Sequence, residues 1–356
     1  MPSPQETSVQ TVVVPFERGT PPAPLTRLAP QAVLERWSAV DRSAHAPHLV
    51  AVASADGTHW SAAALVTARP HTAYLKIVDV VGDVPAGVAA VLAHARRQAA
   101  AQVKWEGWSA GPQAAAAAGF DSLRTPLAQA DATDGPATGY VRWLSDGAPT
   151  EPPYYGQTTH FTCGAVTALV AQAHAGTPPR QPLDRRAELT LWREATNFPA
   201  CEPVGLGVAV RRTWPSSSVT VHLDTDRPVL LDHLAPSEQE WRADLQRMSR
   251  ADAARAGVPI APSRLPVAAI RSAVDRREHV LLLVSLAGMH GFDVPHWVLC
   301  HAAVPGAVVV DDPWANAATG DTWVDAHLLP VTDAALDAMS VLSADSFRGA
   351  VTLGRS

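Results

Sequence analysis

The stretch QTTHFTCGAVTALVAQAHAG, residues 157–176, decides how the rest of the chain is read. It opens as a polar loop and turns apolar at Cys163, and the spacing that follows predicts a helix over about 163–175. A cysteine in the first turn of a helix meets unpaired backbone N–H groups and the positive end of the helix dipole, which favour its thiolate. Gln157 lies six residues upstream, near enough to fold back and donate an amide N–H to a developing oxyanion. Far downstream, His296 opens the strand-like run HWVLCHAAV, and sixteen residues later Asp312 closes AVVVDDP. Neighbouring antiparallel strands place a carboxylate beside an imidazole and fix its tautomer. Read in chain order, Gln157, Cys163, His296 and Asp312 supply an oxyanion donor, a nucleophile, a base and an orienting group. Asp311 competes with Asp312 for the last role, and strand alternation points the two in opposite directions.

On QTTHFTCGAVTALV, HWVLC and VVVDDPW the chain resembles the papain-like cysteine peptidases, most closely the bacteriocin-processing (double-glycine) peptidase-like family, over roughly 152–340. LWREATNF and CEPVGLGVAVRR also resemble bacterial members of that group. The resemblance implies a papain-like fold, a helix packed on an antiparallel sheet, and the four roles just given. It also favours Asp312 over Asp311. One departure is Ala165, where the family usually carries proline after the Cys-Gly pair; that proline is a helix-start preference and not a reacting group.

Cys201 and Cys300 read as structural, although Cys300 lies four residues along the strand from His296 and shares its face. His290, His296 and His301 crowd one region, but no CxxC pair or HExxH helix accompanies them, so neither a metal nor a cofactor is expected. No GxxxxGK[ST] or GxSxG motif is present.

Composition narrows the partners. The 356 residues exceed one ordinary core, with 47% hydrophobic and 17% charged residues. A net charge of −6 without a basic run argues against nucleic acid and an anionic membrane surface. No apolar window reaches membrane-spanning length. MPSPQETSVQ lacks the pattern of a secretory signal, and three scattered cysteines build no disulfide framework, so the reducing cytoplasm is expected.

Residues 1–22 read as a flexible lead-in. The Pro- and Gly-rich SDGAPTEPPYYGQ, residues 145–157, separates a first domain over 23–147 from a second over 148–356. The first runs helix, strands, helix, strand, helix, strands, with a hairpin signal at Asp56-Gly57. In the second, a Gly-rich turn is expected around EPVGLG and an antiparallel sheet near the end.

The order over 25–145 resembles the GNAT acyltransferases, a mixed αβ fold in which a glycine-rich loop cradles the pyrophosphate of acetyl-CoA at a helix start. The matching VVGDVPAGVAAVL keeps Gly82 and Gly87, but Asp83 places negative charge where phosphate would sit and Pro85 removes a donor. The first domain therefore reads as a degenerate GNAT-like module, with Trp105 and Trp108 either in its core or offered to a substrate.

The α+β chain is thus expected to cleave an amide or peptide bond of a peptide or small amide through an acyl-enzyme on Cys163, with His296 as base. Three alternatives stand beside that: acyl transfer to an amine at the same site, CoA-dependent N-acetylation by the first domain, and a catalytically inert binding protein.

Overall fold

A computed structural model describes residues 9–108, 110–127, 138–145, 147–176, 182–196, 200–342 and 346–355. The chain forms two compact units. One comprises Met1–Thr125, Asp134–Gly147 and Asn316–Asp325; the other comprises Pro126–Thr133, Ala148–Ala315 and Ala326–Ser356. Each is built on a seven-stranded mixed sheet, and twelve α-helices occur among the described residues. None of the helices among these residues is long and apolar enough to cross a membrane.

In the first unit the elements are β1 (Val9–Pro15), α1 (Ala23–Leu28), α2 (Gln31–Ala39), β2 (His48–Ser54), β3 (Trp60–Thr67) and β4 (Tyr74–Gly82). They continue with α3 (Val84–Arg97), β5 (Gln102–Glu106), α4 (Pro112–Ala117), β6 (Asp121–Ser122) and β7 (Gly139–Trp143). The sheet order is β1-β2-β3-β4-β5-β7-β6. Among the described strands of this sheet only β4 and β5 pair in parallel, across the α3 crossover that a parallel pair requires. Gly57 sits in the β2–β3 turn with φ +70°, and the Asp56 carboxylate closes that turn by accepting from Thr58 N at 3.0 Å.

The lead-in expected over 1–22 is corrected by β1, which pairs along its whole length with β2, from Val9 opposite Ser54 to Pro15 opposite His48. Three consecutive valines, Val12–Val14, suit an extended, half-buried ribbon better than a loose tail. Residues 1–8 lie outside the described residues.

The unit is finished by the late segment Asn316–Asp325, which delivers two buried carboxylates. Lys76, on β4 and 1% exposed, places Nζ 2.5 Å from Asp325 Oδ2 and 2.7 Å from Glu106 Oε1. Arg69, also 1% exposed, reaches Asp321 Oδ2 at 2.9 Å. A buried cation is tolerated only when paired, so these residues form one set.

The second unit runs α5 (Cys163–Ala175), α6 (Arg185–Ala195), α7 (Pro203–Thr213), β8 (Ser217–Leu223), α8 (Pro236–Ala256), β9 (Ile260–Ala261) and α9 (Val267–Asp275). It continues with β10 (His279–Ser285), α10 (Ala287–His290), β11 (Pro295–Val304) and β12 (Ala307–Asp311). After the short α11 (Trp323–Ala326) come β13 (Leu329–Thr332), α12 (Asp333–Met339) and β14 (Gly349–Arg355). Its sheet, β13-β12-β11-β10-β14-β8-β9, is antiparallel except for the two-residue β9. α5, α6 and α7 pack with β8, β10, β11 and β14 around one core. A helix core against an antiparallel sheet fits the papain-like architecture.

The turn expected around EPVGLG is instead the start of α7. Glu202 caps it, accepting from Val204 N at 2.7 Å and from Gly205 N at 2.5 Å, with Pro203 in the first turn. Its glycines serve close approach: a Cβ on Gly207 would lie 2.4 Å from Val221 Cγ2 on β8.

Candidate active site

Every residue from Cys163 to Gln172 is buried, so α5 is apolar all round and runs through the core instead of over it. Its N-terminus is pressed tightly: a Cβ on Gly164 would come within 3.0 Å of the Trp297 ring and 3.2 Å of Cys201 Cβ. This holds the first turn against β11. The N–H groups of that turn have no partner within the helix, and Cys163, 6% exposed, stands among them.

β11 carries His296. His296 pairs opposite Val284 of β10, and its Nε2 lies 2.7 Å from Asp312 Oδ1. The ring is also hydrogen-bonded to the Cys163 side chain. With Nε2 committed to the carboxylate, Nδ1 is the nitrogen left for the thiol. Burial opposes charge on this imidazole, but Asp312 and then Cys163 outweigh it, and its pKa is pushed up to about 10. Asp312 is fully buried and its Oδ1 also accepts from Trp314 N at 2.9 Å. Asp311 turns elsewhere, accepting from Leu328 N at 2.8 Å and lying 3.0 Å from His327 Nδ1.

Gln157 is on the loop that leads into α5. Its backbone N–H donates to Pro313 O at 2.7 Å, which ties the loop to the turn just after Asp312. Its side-chain Nε2 donates to Thr159 O at 2.8 Å, while Oε1 is buried and accepts nothing among the described residues. The structure thus brings Cys163, His296 and Asp312 together, and ties Gln157 to the turn after Asp312 through its backbone without a hydrogen bond from its side chain to the thiol. A primary amide has two N–H bonds, so one remains for an incoming oxygen.

One residue of consequence escapes a sequence-only reading. Glu188 on α6 is fully buried and accepts from Thr158 N and Thr158 Oγ1, each at 2.8 Å. It also accepts from Tyr155 Oη at 3.0 Å and from Thr162 Oγ1. A single carboxylate therefore fixes the loop from Tyr155 to Thr162, which carries Gln157 and ends beside Cys163. The signal was present: Glu188, Leu191 and Ala195 share the buried stripe of α6, where an acid needs a reason.

The other two cysteines are also unpaired and buried, at 1% and 0% exposure for Cys201 and Cys300. Burial pushes both thiols up. Cys201 uses its carbonyl to accept from Trp297 Nε1 at 3.1 Å.

A family model described as "Peptidase_C39 like family" matches residues 152–354, more than half of the chain. The chain belongs to the Peptidase_C39 like family. That supports a C39-like peptidase domain over residues 152–354 and meets, at this level, the resemblance drawn over about 152–340. No curated protein matches the chain.

Proposed function

We propose that the Peptidase_C39 like domain cleaves an amide or peptide bond through an acyl-enzyme on Cys163. The observation that carries this reading is the buried hydrogen-bonded series Cys163–His296–Asp312 at the start of α5. Cys163 Sγ attacks the carbonyl carbon and the carbonyl π pair moves to oxygen. First-turn N–H groups of α5 and the Gln157 amide receive that oxyanion. As the intermediate collapses, the C–N bond breaks and His296 gives its proton to the departing amine. A water molecule, deprotonated by His296, then attacks the thioester and releases a carboxylic acid, restoring the thiol. Asp312 keeps the imidazole oriented throughout. The substrate is a peptide or small amide, and no step calls for a cofactor.

Mass spectrometry of the protein with a peptide or activated ester tests this. A covalent acyl adduct on Cys163, lost in Cys163→Ala, is expected. If turnover persists in Cys163→Ala, the reading fails. Product formed with added amine in place of the acid assigns the same acyl-enzyme to transfer.

For the first unit we propose a GNAT-like scaffold that does not bind acyl-CoA. The turn from β4 into α3 lies where that fold would receive a pyrophosphate, and there Asp83 Oδ1 accepts from Ala86 N at 3.0 Å. The domain's own carboxylate occupies the donor. Acetyl-CoA titration of the full chain is expected to give no saturable binding.

A further inference from the structure

The outer face of α6 adjoins the catalytic loop and is unlike the rest of this acidic chain. Arg185, Leu189, Trp192 and Arg193 recur at helical spacing, and with Arg186 and Thr190 they line an open cavity of about 580 Å³. The three arginines are exposed and form no ion pair or hydrogen bond among the described residues, whereas most other exposed arginines of the second unit, such as Arg212 with Asp252, have acidic partners. Through Trp192 the cavity adjoins the loop that leads into α5. The Trp192 ring packs on Phe161 with centroids 4.9 Å apart, and Phe161 is two residues before Cys163. The adjoining buried flank of the same helix holds the loop through Glu188.

We infer that this face of α6 is a docking groove for an acidic segment of the peptide substrate, with a bulky apolar residue seated on Leu189 and Trp192. The inference rests on the peptidase reading and adds the substrate's chemistry to it. Guanidinium groups pair bidentately with carboxylates, which lysines do not match. Arg186 and Arg193 are seven residues apart, about 10 Å along a helix axis. Same-face carboxylates of an extended chain, two or four residues apart, lie about 7 or 13 Å from one another, spacings that bracket this distance. Net negative charge over the whole chain leaves this stripe as a local attractor and disfavours a nucleic acid, whose phosphates need a broader basic surface.

The test uses the full chain carrying Cys163→Ala, so that binding is read without turnover. The probe is a short fluorescein-labelled peptide alternating glutamate with leucine, followed by anisotropy. Binding is expected to weaken roughly tenfold or more in Arg186→Glu/Arg193→Glu and to weaken with added salt. Arg97→Glu, on α3, is expected to leave it unchanged. Equal binding by the charge-reversed variant, by a peptide with lysine for glutamate, or by an unstructured oligonucleotide overturns the proposal. The two readings fail separately. An inert Cys163 in the wild-type protein, with α6-dependent binding intact, removes the cleavage reading and leaves the groove standing. A reactive Cys163 with no α6-dependent binding does the reverse.

Discussion

Asp311 and Asp312 are neighbours on the chain and serve different histidines: Asp312 holds His296 at 2.7 Å, and Asp311 holds His327 at 3.0 Å. Asp312→Asn disturbs the imidazole that faces the thiol and is expected to lower turnover by on the order of 10²–10⁴. Asp311→Asn is expected to keep turnover within a few-fold. It costs stability of about 1–3 kcal/mol, because His327 and Leu328 N lose a charged acceptor. Turnover and thermal melts of the two variants check this; a loss of turnover in Asp311→Asn comparable to that in Asp312→Asn sinks the division of roles.

The raised pKa of His296 makes a pH prediction. Burial opposes its charge, Asp312 and Cys163 favour it, and the folded value of about 10 lies above the ordinary 6.5. A group raised on folding contributes stability that is complete below its unfolded pKa and is lost as pH rises through the folded one. Denaturant melts are therefore expected to show a stability loss approaching pH 10, absent in His296→Ala. An identical alkaline profile in both proteins would falsify the pairing.

Cysteine labelling separates the three thiols. Iodoacetamide at mildly acidic pH is expected to modify Cys163 well before Cys201 and Cys300, since only Cys163 is hydrogen-bonded to an imidazole that stays charged there. His296→Ala should remove that early reactivity. Peptide mapping that finds Cys201 or Cys300 labelled first refutes the assignment of the nucleophile.

In the proposed mechanism, Gln157→Ala removes a donor needed only when the oxyanion exists. Turnover is expected to fall on the order of 10²–10³ with little change in substrate affinity or in Cys163 labelling. Near-normal turnover in this variant would return Gln157 to an ordinary loop residue, tied by its backbone to Pro313.

Glu188→Ala leaves the buried donors of Tyr155, Thr158 and Thr162 without their acceptor and is expected to destabilise the protein by roughly 2–4 kcal/mol. Glu188→Gln keeps the shape and one oxygen, so its loss is smaller. In both, kcat is expected to fall at temperatures well below the melt, because the loop carrying Gln157 is no longer fixed. Unchanged kcat in folded Glu188→Gln limits Glu188 to stability alone.

Much of the site was legible because its signals are local. The polar-to-apolar change at Cys163 gave α5, and the apolar runs in HWVLC and VVVDDP gave two strands, with His296 near the start of one and Asp312 just past the end of the other. Glu188 was not found because its importance comes from four hydrogen bonds to a loop 26 to 33 residues earlier, which no local pattern encodes. α7 was read as a turn because Gly205 and Gly207 weaken helix propensity; their real constraint, contact with Ala195 and Val221, is tertiary. β1 was passed over because an edge strand is stabilised by its neighbour more than by its own composition.

The carboxylates of Asp321 and Asp325 have a practical consequence for anyone cutting this gene. An expression fragment ending near residue 147 contains every strand of the first sheet, yet omits the counter-ions of Lys76 and Arg69. Such a fragment would have to fold around two cations deprived of those acids, one of them left with Glu106 alone. The boundary that suits the sequence is therefore the wrong place for the scissors, and a workable excision would graft residues 316–325 back by circular permutation or a fused linker.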